Sequence, residues 1–168
     1  MSLLKTLLAA LVLTLASASA QAEAIYRFNG GADSGSLTGS SYEGEFRFDD
    51  VAADFDGWTL LTDFRFMGFG LDLGLSDADP TATPVAWFAA GQFLGIDYRS
   101  IGGSAMPSVT LMAGFFDLSE AYLAYGNAAG VDGFGGLNFQ RLTAEVPEPT
   151  TAGLLLLGLL GLAQRRRR

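Results

Sequence analysis

Four aspartates in the stretch DDVAADFDG, namely Asp49, Asp50, Asp54 and Asp56, form the densest set of side chains in this sequence that could do chemistry. Carboxylate oxygens at closely spaced loop positions suit a hard cation, and calcium is the ion such a loop would hold. Set on the EF-hand pattern, Asp54, Asp56 and Gly57 fall at the third, fifth and sixth positions. The first position is then Ala52, and the last is Asp63 where a bidentate Glu is required. No helical pattern flanks the loop, so the EF-hand reading fails. Two readings stay open: a calcium site of another kind on Asp49, Asp50, Asp54 or Asp56, and a solvated acidic turn between strands.

The chain contains no Cys and no His. Their absence removes disulfides, structural zinc, thiol redox chemistry and the commonest general base at neutral pH. Paired carboxylates can hydrolyse glycosides without either residue. With 17 acidic residues between Glu23 and Glu145, however, chance pairs are guaranteed and sequence spacing does not say which of them meet. There is no G-x-S-x-G, P-loop or dinucleotide fingerprint. Gly68, Gly70 and Gly74 sit in a strand-like run with no helix following, and read as bulges or close backbone approaches. Asp77 and Asp79 before Pro80 are ordinary turn chemistry. The expectation is a protein that is not an enzyme.

Strands must position these residues. In YEGEFRFD, Tyr42, Gly44, Phe46 and Phe48 share one face, while Glu43, Glu45, Arg47 and Asp49 share the other. Ile25 to Asn29 repeats the pattern with Tyr26 and Phe28 opposite Arg27. Trp58 to Phe69 groups Leu60, Phe64 and Phe66 against Thr59, Asp63 and Arg65, as one long strand or two joined at a bulge. Further strands are expected at Val85 to Ala89, Gln92 to Arg99, Ser108 to Phe115, Ala121 to Tyr125 and Gly136 to Leu142. A capped helical turn on Asp117 or Ser119 is the alternative for DLSEAYLA. Turn clusters separate the strands at Asn29 to Ser36, Asp77 to Pro84, Ser100 to Pro107 and Gly126 to Gly136. Short strands at this spacing fit a sandwich or a barrel. The reading adopted is an all-β, antiparallel β-sandwich, jelly-roll-like or similar, with the 13 Phe as its core.

At 168 residues one domain is expected. The formal charge of −8 understates the body's asymmetry, because five of the ten basic residues lie in the terminal segments. Seventeen acids against Arg27, Arg47, Arg65, Arg99 and Arg141 leave the region from Glu23 to Glu145 with twelve net negative charges. Such a body repels phosphate backbones and lacks the basic footprint that nucleic-acid binding requires.

Residues 1–22 carry Lys5, then an apolar run from Leu7 to Leu15, then small residues at A-x-A spacing. That order is a secretory signal helix, with cleavage expected after Ala20 or Ala22 by signal peptidase. At the opposite end, residues 146–168 read VPEPTTAGLLLLGLLGLAQRRRR. The apolar stretch from Ala152 to Ala163 would measure about 18 Å as a helix. A bilayer core is about 30 Å thick, so the span is marginal. Arg165, Arg166, Arg167 and Arg168 would hold the C-terminus on the cytoplasmic side, leaving the body exported. A retained anchor and a removable address both fit this order of parts, as a removable GPI tail shows.

Pro147, Glu148 and Pro149, the Leu/Gly helix and the four arginines together resemble the PEP-CTERM sorting signal of exported bacterial proteins. The resemblance implies three parts: a signal peptide over 1–22, a body over 23–145, and a sorting signal with a C-terminal transmembrane sorting helix over 146–168. It also implies an exosortase as processing partner, a transient stay in the inner membrane, and a Gram-negative host that makes biofilm or exopolysaccharide. The function expected on that basis is a structural or adhesive, non-catalytic component of the cell surface or extracellular matrix. The alternative is a carbohydrate- or calcium-binding module of a biofilm matrix.

Overall fold

The computed structural model describes residues 23–102, 107–127 and 130–142. These form ten strands: β1 (Glu23–Gly31), β2 (Ser41–Asp49), β3 (Gly57–Gly68), β4 (Leu71–Gly74), β5 (Val85–Ala89), β6 (Gln92–Arg99), β7 (Ser108–Met112), β8 (Tyr122–Asn127), β9 (Gly130–Gly136) and β10 (Asn138–Leu142). The signal helix and the C-terminal sorting helix lie outside the described residues. Among the described residues, no helix is long and apolar enough to cross a membrane.

All strands join one antiparallel sheet in the order β10-β1-β2-β3-β5-β6-β7-β8-β9, with β4 on β3. The expected sandwich is therefore corrected to a single sheet curled into a nearly closed barrel. The connectivity explains the difference. A jelly roll needs long connections that cross between two sheets, whereas here strands next to each other in sequence hydrogen-bond to each other everywhere except between β4 and β5 and between β9 and β10. β4 and β5 share one edge of β3, on Arg65–Gly68 and Gly57–Leu60 respectively, and act as an interrupted single strand. β9 and β10 do the same at the seam. β9 follows β8, β10 pairs with Ile25–Asn29 of β1, and a bridge from Ala32 to Gly135 ties the remainder. Eight strand positions result, a number whose interior is just wide enough to be filled by side chains.

Aromatic rings fill that interior. Phe28, Phe46, Phe48, Phe64 and Phe66 are almost completely buried, as are Ile96, Leu111 and Leu123 from the far wall. Phe64 stacks on Tyr98 with ring centroids 3.9 Å apart, and Tyr26 packs on Phe93 at 4.6 Å. Such pairs add about 0.5–1.5 kcal/mol each beyond their buried area. Three tyrosine hydroxyls reach across the interior to backbone. Tyr42 donates to the Gly136 carbonyl at 2.6 Å, Tyr98 to Gly74 at 2.9 Å, and Tyr125 to Ser34 at 2.5 Å.

Two stretches read as turn or bulge are strands. In β9, Gly133 and Gly135 face inward and Asp132 and Phe134 face outward. A Cβ on Gly135 would lie 2.5 Å from the Tyr42 hydroxyl oxygen, and one on Gly133 the same distance from that of Tyr125. Glycine stands there because the tyrosine heads occupy the space that side chains would need. In β4, Leu71 and Leu73 are buried, with Phe69 and Gly70 as a two-residue hairpin turn, both at positive φ.

The expected phase of β3 also needs correction. Its register on β2 slips between Arg47 and Phe48, so that Leu61 pairs with Phe48 and Asp63 with Arg47. The extra residue, Thr62, turns the first half of the strand over. Leu61 points inward, while Trp58 and Leu60 point out, each 53% exposed.

Candidate functional site

With the interior packed, candidate sites lie on the outside. β1, β2 and β3 project a ladder of charges from their outer face because their alternation is in register. Arg27 sits opposite Glu45, and Glu45 opposite Arg65. One step along, Asn29, Glu43, Met67 and Asp72 line up. Between these rows runs a groove of about 480 Å³ lined by Arg27, Glu43, Glu45, Asp63, Arg65 and Met67.

Most of its charges are already partnered. Arg47 reaches Glu45 at 3.1 Å, Glu23 at 3.4 Å and Asp63 at 3.7 Å. Arg65 grips Asp72 with two hydrogen bonds, at 2.9 and 2.8 Å, a bidentate fork. That hydrogen bond holds the Asp72 carboxyl below the usual carboxylate range. An acid held ionised in this way suits recognition and solubility; donating a proton near neutral pH would need the opposite shift.

A second outer groove of about 290 Å³ lies between the 81–83 loop and strands β6 and β7. Thr81, Thr83, Asp97, Arg99, Thr110 and Met112 line it. Asp97 is its organising residue. One carboxylate oxygen accepts the Trp87 indole N–H at 2.7 Å, and the other accepts the Ala113 backbone N–H at 3.0 Å. At the groove's rim Asp79 accepts from Thr81, which lowers its pKa, and pairs with Arg99 at 2.7 Å.

The acidic loop is spread out. Asp50 pairs with Arg141 at 2.7 Å and accepts the Val51 N–H, and the loop closes by a turn from Phe55 N–H to the Ala52 carbonyl. Asp49 ends β2, and Asp54 and Asp56 are exposed. Among the described residues, no group of three or more acidic side chains is placed to hold a metal ion. Asp49, Asp50, Asp54 and Asp56 are therefore not brought together as a ligand set. Ala20, Ala22, Pro147, Glu148, Pro149 and Arg165 to Arg168 lie outside the described residues.

One feature was missed by sequence reasoning. Hydropathy places Phe115 and Phe116 with the core, yet they are 80% and 75% exposed. β7 ends at Met112, short of the expected Phe115, and Asp117 caps a 3-10 turn over Leu118–Glu120. The Glu120 carboxylate accepts both the Phe115 and Phe116 N–H groups, at 2.9 and 2.8 Å. The two rings meet edge to face at 4.7 Å. The available signal was Gly114 ahead of two phenylalanines and a capping Asp after them, a turn pattern with no place for a buried pair.

The family model described as PEP-CTERM protein-sorting motif matches residues 145–168. No curated protein matches the chain, and no solved structure does. The chain thus carries a PEP-CTERM sorting motif, the mark of an exported protein that an exosortase processes and that is sorted to the cell surface or extracellular space.

Proposed function

We propose that the barrel is a non-catalytic structural or adhesive module of the cell surface or extracellular matrix, delivered there by its tail. The observation that carries this reading is the filled interior. Phe28, Phe46, Phe48, Phe64 and Phe66 occupy the volume in which a barrel of this size would hold a small substrate. Partners must then meet the outer face, where Arg47, Arg65 and Asp72 are committed to one another and to their neighbours. The tail, marginal as a permanent span, acts as a temporary hold in the inner membrane until Pro147 to Pro149 are processed. Intact-mass measurement of the protein recovered from the producing cells tests the delivery. A mass that stops near Pro149 is expected, and a chain still ending at Arg168 would sink it.

A carbohydrate-binding role is the second reading, favoured by the groove of Thr81, Thr83, Asp97, Arg99, Thr110 and Met112. Hydroxyls, one carboxylate and one guanidinium around an apolar floor match the mixed faces of a sugar ring. Calorimetry against a panel of neutral and acidic polysaccharides separates the two. Heat that saturates, and is lost in Asp97→Ala, would favour the sugar site over a purely structural module.

A further inference from the structure

The outer wall of the barrel has two unlike halves. β1, β2 and the second half of β3 carry the charge ladder, whereas the first half of β3 and strands β5 to β9 display large apolar side chains. Trp58, Leu60, Met112 and Phe134 are each between 41% and 53% exposed there. Both tryptophans of the chain lie in this half, and they are register partners, Trp58 on β3 and Trp87 on β5. Residues directly opposite on an antiparallel pair project to the same side, so the two indoles form one patch. Neither is among the side chains that pack on the core. Trp is ordinarily well buried, and contiguous apolar surface left outside marks a site of contact.

The patch is joined to the groove between the 81–83 loop and strands β6 and β7. The Trp87 indole N–H donates to Asp97 at 2.7 Å, and Asp97 lines the groove. That bond fixes the orientation of the ring, so little conformational entropy is lost when the ring is covered. Across β6 the register partner of Trp87 is Gly95, which sets no side chain against the indole. Asp97 accepts one protein N–H on each oxygen, from Trp87 and from Ala113. A carboxylate has about four acceptor sites, so roughly two are left for hydroxyl donors. The Thr83 and Thr110 side chains line the same groove.

The chemistry of this surface selects its occupant. A pyranose ring has apolar C–H faces and a rim of hydroxyls, and it needs aromatic faces beside hydrogen-bond acceptors. Charge decides which sugar. Arg99, the cation that lines the groove, is committed to Asp79 at 2.7 Å. Asp97 and the body's twelve net negative charges then disfavour a uronate or sulfated chain. A second protein molecule fits less well, because its apolar contact would bury Asp97 with acceptor sites unfilled. At about 290 Å³ the groove is small for a ligand site, so further rings must lie on the indoles. We propose that Trp58 and Trp87 extend the Asp97 groove into a binding face for a neutral polysaccharide, one ring seated in the groove and the next rings stacked on the indoles. The inference rests on the carbohydrate reading of that groove. It adds the class of glycan and a dependence on chain length.

Because the chain has no other tryptophan, its emission reports this face alone. The full-length protein is titrated with cellobiose, cellotetraose and cellohexaose, with the corresponding manno-oligosaccharides, and with polygalacturonate, followed by tryptophan emission and calorimetry. The expected result is a saturable emission change with a neutral series, shielding from acrylamide, and affinity that rises about tenfold for a ring stacked on Trp58. Trp58→Ala, at an exposed position, should keep the disaccharide affinity and lose the rise, while Trp58→Phe keeps most of it. An undiminished rise in Trp58→Ala overturns the stacking face and leaves the groove reading standing. Polygalacturonate bound as tightly as the neutral chains overturns the neutral class and likewise leaves the groove. No response to any of these glycans overturns both the proposal and the carbohydrate reading. An emission change that needs no glycan and grows with protein concentration assigns the indoles to a second copy, which also overturns the proposal.

Discussion

Replacing Gly135 by Ala inverts the sign that glycine substitutions in strands ordinarily have. Gly135 sits in β9 with no positive φ, so its backbone is open to any residue. At such a position Gly→Ala stabilises by about 0.4–1 kcal/mol through the unfolded chain. Here the added Cβ would lie 2.3 Å from the Gly31 carbonyl oxygen and 2.5 Å from the Tyr42 hydroxyl oxygen. The first of these is backbone on the far side of the seam, so relief requires parting β1 from β9. The second is the hydroxyl whose hydrogen bond to the Gly136 carbonyl holds β2 to the same strand. Overpacking of this kind costs about 1–3 kcal/mol, and losing a buried hydrogen bond about 1 kcal/mol more. Set against the intrinsic gain, the net expectation is a loss of about 2 kcal/mol, or a Tm lower by about 8 °C in a domain of this size. Urea titrations of wild type, Gly135→Ala, Tyr42→Phe and the double variant complete a cycle. Tyr42→Phe removes one of the two clashing atoms, so the double variant must lose less than the two singles together. A stabilised Gly135→Ala, or strict additivity, would refute the claim that the seam closes on Tyr42.

The remaining predictions use other parts of the barrel. Phe46→Ala, at a fully buried position, should cost about 3–5 kcal/mol, while Phe116→Ala should stay within about 0.5 kcal/mol; denaturant midpoints decide both. Tyr98 is pushed up to about 12 and Tyr42 is raised also, in each case by burial first. Their contribution is thus fully present below pH 10 and is lost as pH rises toward the folded-state values, where the unfolded chain holds fewer protons. An alkaline midpoint that moves upward in Tyr98→Phe is the expected observation in a pH titration followed by circular dichroism. At the acid side, Asp79 and Asp117 are lowered by their hydrogen bonds to Thr81 and Ser119. Stability should therefore hold down to about pH 4 and fall below it. In Asp97→Ala the Trp87 and Ala113 N–H groups lose their acceptor, for a cost of about 1–3 kcal/mol measured as a shift in Tm.

The strand content was legible because period-two alternation survives wherever one face is aromatic. β2 reads Tyr42, Gly44, Phe46, Phe48 inward without exception, and the structure agrees residue by residue. Where the inward residues are glycine the same alternation carries no hydropathy signal, which is why β9 looked like loop. The tyrosines that fill the space opposite, Tyr42 and Tyr125, lie 93 and eight residues away from Gly135 and Gly133 in sequence. No local window contains both partners of the first pair. β3 failed differently. A single extra residue at Thr62 reverses the phase of Trp58 and Leu60, and such a slip is set by pairing with β2 instead of by β3's own sequence. Sandwich against barrel depended on the same non-local information, since strand spacing alone suits both.

The candidate sites divide along a similar line. The sorting motif was legible because all its parts are contiguous, from Pro147 to Arg168. The acidic loop shows that adjacency in sequence does not imply convergence: Asp50 turns to Arg141, 91 residues away, and among the described residues no group of three or more acidic side chains is placed to hold a metal ion. Phe115 and Phe116 were under-read for the opposite reason. Hydropathy marks them as core, and only the carboxylate of Glu120, bound to both of their backbone N–H groups, turns the segment outward.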